Sequence, residues 1–414
     1  MKRIWTDDRV QLAVVWSVLL FLPLKRLAEI PMLCLLIAGV VLAARQWRTL
    51  WAEPAVRLFV FVFACYWVPI AFAAIDAVNL QRSGLVALAG VRFLFAGISI
   101  VWVLRSSRAD ILWKWCAWLL MFWLVDALVQ YFFGFDLLGQ TRHPQRLNGV
   151  FGDEGSLKLG PILATLSPLL LEHARRHGGA GGFAAAYLVT LVVVLLTGSR
   201  AGWIIYGVVT VVFFWTTLRS YPGYRKTLGL IAVAVVGVTV ALYALSPRFH
   251  DKFDTSLLVF KGDVQSIDRA IAFRLPIWQT AGRMYLDNPI NGVGARGFRY
   301  AYADYAGPDD HWVNEPGGFG GAFHAHHILL DVSTETGTIG VVGLFLAVWL
   351  LFQRWRHLAP SERQAVFPVA LGLAASLFPL NTHYSIYAAT WSITLWWLIV
   401  VFCGLSRPAG AASD

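Results

Sequence analysis

Residues 227–245 have the sequence TLGLIAVAVVGVTVALYAL, and residues 386–405 have the sequence IYAATWSITLWWLIVVFCGL. Both runs are apolar almost throughout, and neither shows the alternation of apolar and polar residues that marks a half-buried strand. A helix needs roughly 20 apolar residues to cross the core of a bilayer, and only helices and closed barrels satisfy their backbone there. Because the alternation of barrel strands is missing, these runs predict membrane-spanning helices.

The composition of the whole chain is typical of a membrane protein. Of its 414 residues, 58% are hydrophobic and only 14% are charged, whereas a soluble domain carries about a quarter charged residues. The 19 Trp residues fit the aromatic belts at membrane surfaces. We therefore predict an all-α polytopic membrane protein with about 12 transmembrane helices, at residues 10–27, 29–44, 55–75, 84–104, 111–134, 159–172, 181–198, 200–218, 227–245, 337–353, 365–381 and 386–405.

The basic residues indicate on which side of the membrane each loop lies. If the N-terminus is inside, more than half of the 34 Lys and Arg residues lie in cytoplasmic segments, as the positive-inside rule requires. Both termini are then cytoplasmic. The chain divides into a bundle of about nine spans at 1–245, a loop on the opposite side at 246–336, and three further spans with a short cytoplasmic tail at 337–414.

The long loop combines polar helical sequence with turns. It begins with SPRFHDKFDTSL, continues with a polar stretch around 263–287, and then contains the Pro- and Gly-rich turn NPINGVGARGF. It has too few apolar residues for an independent domain. We expect it to lean on the bundle and to cap a cavity at the outer leaflet.

Two charged residues lie inside predicted spans, where the membrane makes a charge costly. Arg92 and Asp126 each lie about eight residues from the outer end of a span, or roughly 12 Å deep. We expect that they can pair with each other. Such a pair is either a structural link between two helices or the polar floor of an outward cavity.

Three arginines are candidates for binding an anion. Arg200, in LLTGSRAGW, either extends to the membrane surface or belongs to a tight turn that faces the cavity. Arg274, in RLPIWQTA, belongs either to a solvated charged helix or to the same cationic site. Arg146, in RLNGVFGDEG, is a third candidate. Because guanidinium groups bind phosphate oxygens in pairs, these residues predict a site for a group such as a pyrophosphate.

The segment HAHHILLDVSTETG, residues 324–337, is the most informative part of the loop. Its histidines can bind a metal ion, accept a proton from a substrate hydroxyl, or form ordinary surface hydrogen bonds. Their spacing matches no zinc pattern, and we therefore expect neither a metal nor a cofactor. With an ordinary pKa of about 6.5, His326 is suited to be the general base for a sugar hydroxyl.

Several classes of function are excluded because their motifs are absent. The sequence has no P-loop, no GxSxG elbow and no HExxH motif, and GVGARG lacks the βαβ unit of a dinucleotide site. The four Cys residues form neither a disulfide framework nor a thiolate metal site. Basic cytoplasmic loops account for the net charge of +10, so no nucleic acid is expected as a partner. A site outside the cytoplasm lacks ATP and needs an activated substrate, such as a lipid-linked pyrophosphate.

Together these residues resemble the O-antigen ligase/polymerase family, and most closely its O-antigen ligases. The family has a Ser-Arg pair at a helix start, here Ser199–Arg200. It then has R-x-x-x-W and N/H-P-x-x-G-x-G, here Arg274, Trp278 and NPINGVG. A last motif begins with His-Asn and continues with Leu, Glu and two Gly, here His326, Leu330, Glu335, Gly337 and Gly340, with His327 in place of the Asn. The order of these motifs covers roughly residues 120–345.

The resemblance implies a GT-C-like glycosyltransferase of the bacterial cell inner membrane that acts in the periplasm. Its donor would be O-antigen polysaccharide on undecaprenyl pyrophosphate, and its acceptor lipid A–core, so that the transfer completes lipopolysaccharide. Arg200, Arg274 and Arg146 would bind the pyrophosphate. His326 would deprotonate the acceptor hydroxyl, which attacks the anomeric carbon with inversion. Fixed arginines can stabilise this leaving group without a metal.

Three further residues are expected to support the site. Glu335 would orient His326 or tune its charge, although nine helical residues separate the two by about 13 Å and the chain would have to bend. His327 and Ser199 are the other supporting candidates.

Two other interpretations stay open. Within the family, a polymerase or another transferase of lipid-linked glycans shares these motifs. From a different class, many spans with charges inside them also suit a polysaccharide-lipid transporter or flippase, although such proteins more often show repeat symmetry between halves.

Overall fold

The structure is a computed structural model that describes residues 8–105, 109–143, 146–152, 158–315, 320–379 and 384–406. The two ends of the chain, for which the sequence predicts a cytoplasmic location, lie outside these ranges. Within them the chain forms helices, and its extended pairing is limited to one bridge between Phe135 and Thr141. The predicted all-α polytopic membrane fold is confirmed.

Each of the predicted spans overlaps an α-helix, although the span predicted at 10–27 is a helix that ends at Leu20, followed by a 3-10 helix at Leu22–Ala28. The nine before the loop are α1 (Asp8–Leu20), α2 (Glu29–Ala52), α3 (Pro54–Ala73), α4 (Leu80–Leu104), α5 (Ala109–Phe133), α6 (Leu159–His177), α7 (Gly179–Leu196), α8 (Arg200–Ser220) and α9 (Arg225–Leu245). The three after it are α15 (Ile328–Arg356), α16 (Pro360–Ser376) and α17 (Ala389–Leu405). Eight are long and apolar enough to cross a membrane, namely α2 to α5, α7 to α9 and α15. The predicted short spans at 29–44 and 159–172 are in fact longer helices, α2 and α6.

The shorter helices lie at the centre of the bundle. α6 packs against α5, α7, α8 and α16, and α17 packs against α3, α4 and α16. Trp396 of α17 is buried, and its ring meets Phe59 of α3 edge-on with 6.0 Å between centroids. By contrast, most of α9 is exposed, with Leu230 and Val233 both 72% exposed. An apolar helix exposed in this way is expected to face lipid.

The long loop forms five helices of its own. They are α10 (Pro247–Leu257), α11 (Val264–Ala270), α12 (Leu275–Asp287), α13 (Phe298–Tyr305) and α14 (His311–Asn314). The loop has a small hydrophobic core separate from that of the bundle, which the sequence analysis did not expect. That core includes Ile277, Met284, Phe298 and Tyr302, all fully buried. As predicted, the loop also leans on the bundle, because α12 packs against α15.

Helix α15 is broken at Gly337, where the backbone has φ 64° and ψ −162°. A break leaves backbone N–H groups without their partners within the helix, and such groups are costly in a membrane. Here the loop supplies the partners. The N–H of Thr338 donates to the carbonyl of Pro289 at 2.8 Å, and the N–H of Ile339 donates to that of Ile290 at 3.2 Å.

The other side of the break binds the same turn. The carbonyls of Thr334 and Glu335 accept hydrogen bonds from the N–H groups of Val293 at 2.8 Å and Gly294 at 3.0 Å. Gly292 has φ 70°, and a side chain there would collide with the Thr334 carbonyl. We call this set of four hydrogen bonds the α15 joint. The joint fixes the loop relative to the bundle just below the His segment.

The expected pair between Arg92 and Asp126 is wrong. Arg92 of α4 forms an ion pair with Glu29, the first residue of α2, at 3.2 Å. Asp126 of α5 accepts a hydrogen bond from the N–H of Leu137 at 2.9 Å. Glu29 lies at a helix start, which the sequence analysis placed at the edge of a short span rather than beside α4. The two charges therefore fasten different parts of the bundle.

Candidate active site

The sequence TGSR forms the tight turn between α7 and α8, as predicted. Gly198 adopts φ 64°, and Ser199 caps α8, its hydroxyl accepting a hydrogen bond from the N–H of Gly202 at 3.3 Å. Arg200 is the first residue of α8, and its Nε donates to the hydroxyl of Ser256 on α10 at 2.9 Å. The guanidinium therefore points into the loop rather than along the membrane surface.

Arg146 lies in the connection between α5 and α6, which one buried side chain of α5 holds in place. The Oε1 of Gln130 accepts hydrogen bonds from the N–H groups of Asn148 at 3.2 Å and Gly149 at 2.8 Å. Gln130 is fully buried. A buried amide that is satisfied in this way fixes the backbone, and with it the base of the Arg146 side chain.

The three predicted arginines share one electrostatic environment. Arg274, which immediately precedes α12, has its pKa lowered from 12.5 to about 10, first by burial and then by the nearby Arg200 and Arg146. Burial also lowers the pKa of the Arg146 guanidinium. The side chains come from three distant parts of the sequence, and the fold brings them together. At neutral pH all three stay charged.

The His segment is strained and closely packed. His326 has φ 51°, a left-handed conformation that is uncommon for residues with a side chain and is often found at functional sites. The rings of His324 and His326 have centroids 3.9 Å apart. His327 lies just before α15, and its buried Nδ1 has no hydrogen-bond partner in the described part of the chain. Burial lowers the pKa of His327, so that its ring is neutral at pH 7.

Trp278 connects the arginines to the His segment. Its indole N–H donates to the carbonyl of Ala325 at 3.1 Å, and its ring meets His327 edge-on with 5.8 Å between centroids. Arg274 lies four residues earlier, one helical turn away. On the other side, Tyr384 lies 6.4 Å from the His324 ring, between centroids, and interacts electrostatically with Arg146. Trp278 and Tyr384 thus link the cationic group to the histidine group.

Comparison with protein families agrees with the motifs that build this site. Residues 185–345 match the O-antigen ligase family. We call this matched segment, which is less than half of the chain, the ligase domain. The match supports O-antigen ligation or polymerisation in general. No curated protein matches the chain.

The ligase domain includes most of the predicted site residues and leaves one outside. Ser199, Arg200, Arg274, His326, His327 and Glu335 all lie within 185–345. Arg146 precedes it but shares the electrostatic environment of Arg200 and Arg274. The site therefore combines the ligase domain with the connection between α5 and α6.

Within the ligase domain, Glu335 lies at the α15 joint. It is fully buried, and its Oε2 accepts a hydrogen bond from the N–H of Arg296 at 2.6 Å. Its position in the first part of α15, before the break at Gly337, is that of a residue anchored to the NPINGVG turn. Direct contact between Glu335 and His326 would need a bend in the chain between these two residues. The break in α15 at Gly337 comes after Glu335 and so does not supply that bend.

A second buried carboxylate of the ligase domain, Asp331, was not predicted. It is 1% exposed, and its Oδ2 accepts a hydrogen bond from the N–H of Ile386 at 3.3 Å. It also interacts with the Ser385 hydroxyl and with the N–H of Ala325, the residue before His326. Asp331 thus joins the His segment to the chain between α16 and α17. Its position four residues after His327 was the only sequence signal for this role.

Lys252 is a further cation that the sequence analysis missed. It lies on α10 one turn before Ser256, the partner of Arg200. Burial lowers its pKa, and Arg146 and Arg200 lower it further, in that order. The spacing of Lys252 and Ser256 on one helix face was visible in the sequence, but nothing there showed which way that face points.

An apolar groove of about 580 Å³ opens beside the His segment of the ligase domain. It lies between α8, α15 and α16, and its lining begins at Ile328 and Leu329, directly after His327. Val212 of α8 and Phe367 of α16 lie farther along. A groove of this composition suits an apolar chain. Within the described residues, no group of three or more His, Cys, Asp or Glu side chains is placed to hold a metal ion.

Proposed function

We propose that this protein transfers O-antigen polysaccharide from undecaprenyl pyrophosphate to lipid A–core, in the periplasm, and so completes lipopolysaccharide. The observation that carries the proposal is the convergence of Arg146, Arg200 and Arg274, which Trp278 links to the strained His326 turn. The match of residues 185–345 to the O-antigen ligase family supports it. The protein would lie in the bacterial inner membrane with both termini in the cytoplasm.

The arginines would act on the leaving group. Cleavage of the bond between the anomeric carbon and the pyrophosphate oxygen leaves an electron pair and a negative charge on the pyrophosphate. Three guanidinium groups held by the fold before the reaction stabilise that charge without reorganisation. Their mutual repulsion, which adds to the effect of burial in lowering the pKa of Arg274, is relieved when the anion binds. Binding and charge stabilisation therefore come from the same groups.

His326 would be the general base. It takes the proton from the acceptor hydroxyl while that oxygen forms its bond to the anomeric carbon, on the face opposite the departing pyrophosphate. The new glycosidic bond then has the inverted configuration, and undecaprenyl pyrophosphate is released. A positioned base contributes about 10²–10⁴-fold to such a step. Metal-independent chemistry is part of this proposal, because the arginines supply the charge.

The supporting residues would act through position. His327, which burial keeps neutral, packs against Trp278 and fixes the end of the His segment. Glu335 would act on the site through the α15 joint, and Ser199 would act by capping the helix that presents Arg200. These roles rest on the ring contact of His327 and on the hydrogen bonds of Glu335 and Ser199 described above, rather than on contact with substrate.

The apolar groove would hold the undecaprenyl chain. Its mouth at Ile328 adjoins His327, so a lipid chain in the groove would bring its pyrophosphate towards the arginines. A GT-C-like arrangement, with a membrane groove leading to a periplasmic loop, accounts for a donor of this kind. Burial of isoprenoid methylene groups stabilises such a complex by about 0.8 kcal/mol each.

Transfer by the purified protein tests the proposal. Lipid-pyrophosphate-linked glycan and lipid A–core are mixed with wild type, His326→Ala and Arg200→Ala, and the product is measured. Arg219→Ala, an exposed arginine at the other end of α8, and His357→Ala, an exposed histidine after α15, are matched controls. We expect the two site variants to lose about 100-fold or more of the rate and the two controls to retain it, with the same melting temperature in all five proteins.

Other results would assign a different function. Lengthening of the donor glycan without transfer to lipid A–core would make the protein a polymerase. Full activity of His326→Ala would show that His326 is not the general base. If neither reaction occurred, movement of the lipid-linked glycan across vesicle membranes would be measured next, since that is the transporter interpretation.

A further inference from the structure

A pocket rich in cations lies next to the arginine site. It is formed by the connection between α5 and α6, the end of α7 and the start of α10, and its cavity volume is about 20 Å³. Four basic side chains line it, namely Arg142, Arg146, Arg248 and Lys252. Among the described residues, no carboxylate lines it. We call it the α10 pocket.

Two of these cations are held in place by the surrounding structure. The guanidinium of Arg142 donates to the carbonyl of Tyr131 at 3.1 Å and lies 5.7 Å from the centre of its ring. Lys252 is half-buried on α10, beside Arg146 and Arg200. Arg248 is exposed at the rim, one turn before Lys252, and interacts electrostatically with Arg142. Like charges held together at fixed positions suit an anionic ligand.

The number of cations exceeds what one pyrophosphate needs. A pyrophosphate diester carries about two negative charges, and Arg146, Arg200 and Arg274 already provide three positive ones. Arg142, Arg248 and Lys252 line a pocket whose lining includes Arg146 but neither Arg200 nor Arg274. Arg146 is common to both groups. A second anion would therefore bind next to the first, close to the place of reaction.

We infer that the α10 pocket binds a phosphate group on the sugar acceptor. The inference rests on the proposed function and names a feature of its second substrate. Guanidinium and ammonium groups are donors only, which suits phosphate oxygens. Neutral sugar hydroxyls are usually bound by groups that both donate and accept. The shared Arg146 places a ligand of this pocket beside the donor pyrophosphate, where an acceptor must be.

Acceptor kinetics test the inference. The full-length protein is assayed with saturating donor and either lipid A–core or the same acceptor after enzymatic removal of its phosphates. The variants are Arg248→Ala, whose exposed side chain is not needed for folding, and Arg142→Ala. Lys261→Ala, an exposed lysine on the same loop, is the matched control. Anionic phosphatidylglycerol and neutral phosphatidylcholine vesicles are added in parallel as competitors.

The expected result is a change in acceptor affinity that depends on phosphate. For the phosphorylated acceptor, KM should rise about tenfold in either pocket variant, as for loss of one charge-assisted hydrogen bond. The kcat and the donor KM should stay within about twofold, and Lys261→Ala should match wild type. For the dephosphorylated acceptor, wild type should show the same high KM as the variants.

Three results would overturn the inference and leave the function intact. Wild type that transfers equally well to both acceptors has no acceptor phosphate site. A rise in donor KM would assign the pocket to the pyrophosphate. Competition by phosphatidylglycerol but not phosphatidylcholine, lost in the variants, would assign it to a membrane lipid headgroup. If wild type transfers to neither acceptor, the proposed function itself fails.

Discussion

At the scale of single residues, the charge of position 274 is the most direct test of the arginine site. Burial and two neighbouring arginines lower the pKa of Arg274 to about 10. A lysine has an ordinary pKa of about 10.4, and the same burial and neighbouring cations would lower it as well. In Arg274→Lys the cation is therefore lost at a lower pH than in the wild type. We expect the rate of this variant to fall as the pH rises from 7 to 9.

The wild type should keep its rate on the alkaline side over the same range, because its guanidinium stays charged. Arg269→Lys, at an exposed position of the same loop, is the control and should follow the wild-type profile. Rates of transfer are measured at fixed donor and acceptor from pH 6 to 9. Parallel profiles for Arg274→Lys and wild type would mean that residue 274 does not bind the leaving group as a cation.

Asp331 positions the His segment and does not act as a base. The effect expected of its substitution therefore differs from that of removing the general base. The Asp331 carboxylate accepts a hydrogen bond from Ile386 and interacts with Ser385 and Ala325. Asp331→Asn replaces it with a neutral amide, which weakens the link between the His segment and the chain before α17. We expect kcat to fall about tenfold, as for loss of precise positioning, while the donor KM changes little. The pH profile should keep its shape, because the base is still present.

The control for this change is Asp304→Asn, an exposed aspartate on α13. It removes the same charge from the same loop without touching the His segment and should behave as wild type. Asp331→Glu should restore less activity than wild type but more than Asp331→Asn. An altered pH profile in Asp331→Asn would show that Asp331 itself exchanges protons in the reaction.

At the scale of elements, the glycines of the family motifs serve the α15 joint rather than a phosphate. Gly337 has φ 64°, and a Cβ there would collide with the carbonyl of Ile290. Gly337→Ala thus loses the geometry of the joint and adds the cost of a backbone conformation that is essentially confined to glycine, about 1–3 kcal/mol. We expect the melting temperature to fall by several degrees. The rate of transfer should fall as well, because the His segment is displaced.

Gly229→Ala is the matched control for Gly337→Ala. Gly229 lies in α9 with open space around its Cβ position, where Ala favours a helix by up to about 1 kcal/mol. Its melting temperature should equal or exceed that of wild type. Equal melting temperatures of Gly337→Ala and Gly229→Ala would show that the backbone at residue 337 accepts a side chain. The break in α15 would then not be held by the loop.

At the scale of the whole molecule, the sequence was sufficient to predict the membrane spans and the cationic residues, but not the residues with which those cations interact. Long apolar runs predict helices well because the membrane leaves the backbone no alternative. Arg200 and Arg274 stood out because charges are rare near the membrane. The partner of Arg92 could not be predicted, since residues 29 and 92 meet only through the packing of α2 on α4. Asp331 and Lys252 were missed for the same reason.

The α15 joint also has a consequence for how the protein is made. The ribosome completes residues 288–294 before it reaches residue 337, so the turn exists before the helix that it must join. Until that turn docks, the N–H groups of Thr338 and Ile339 lack the partners that the joint gives them. Because an unpaired N–H group is costly in a membrane, α15 reaches its final conformation only once the turn has docked. Folding of the loop is therefore coupled to assembly of the bundle.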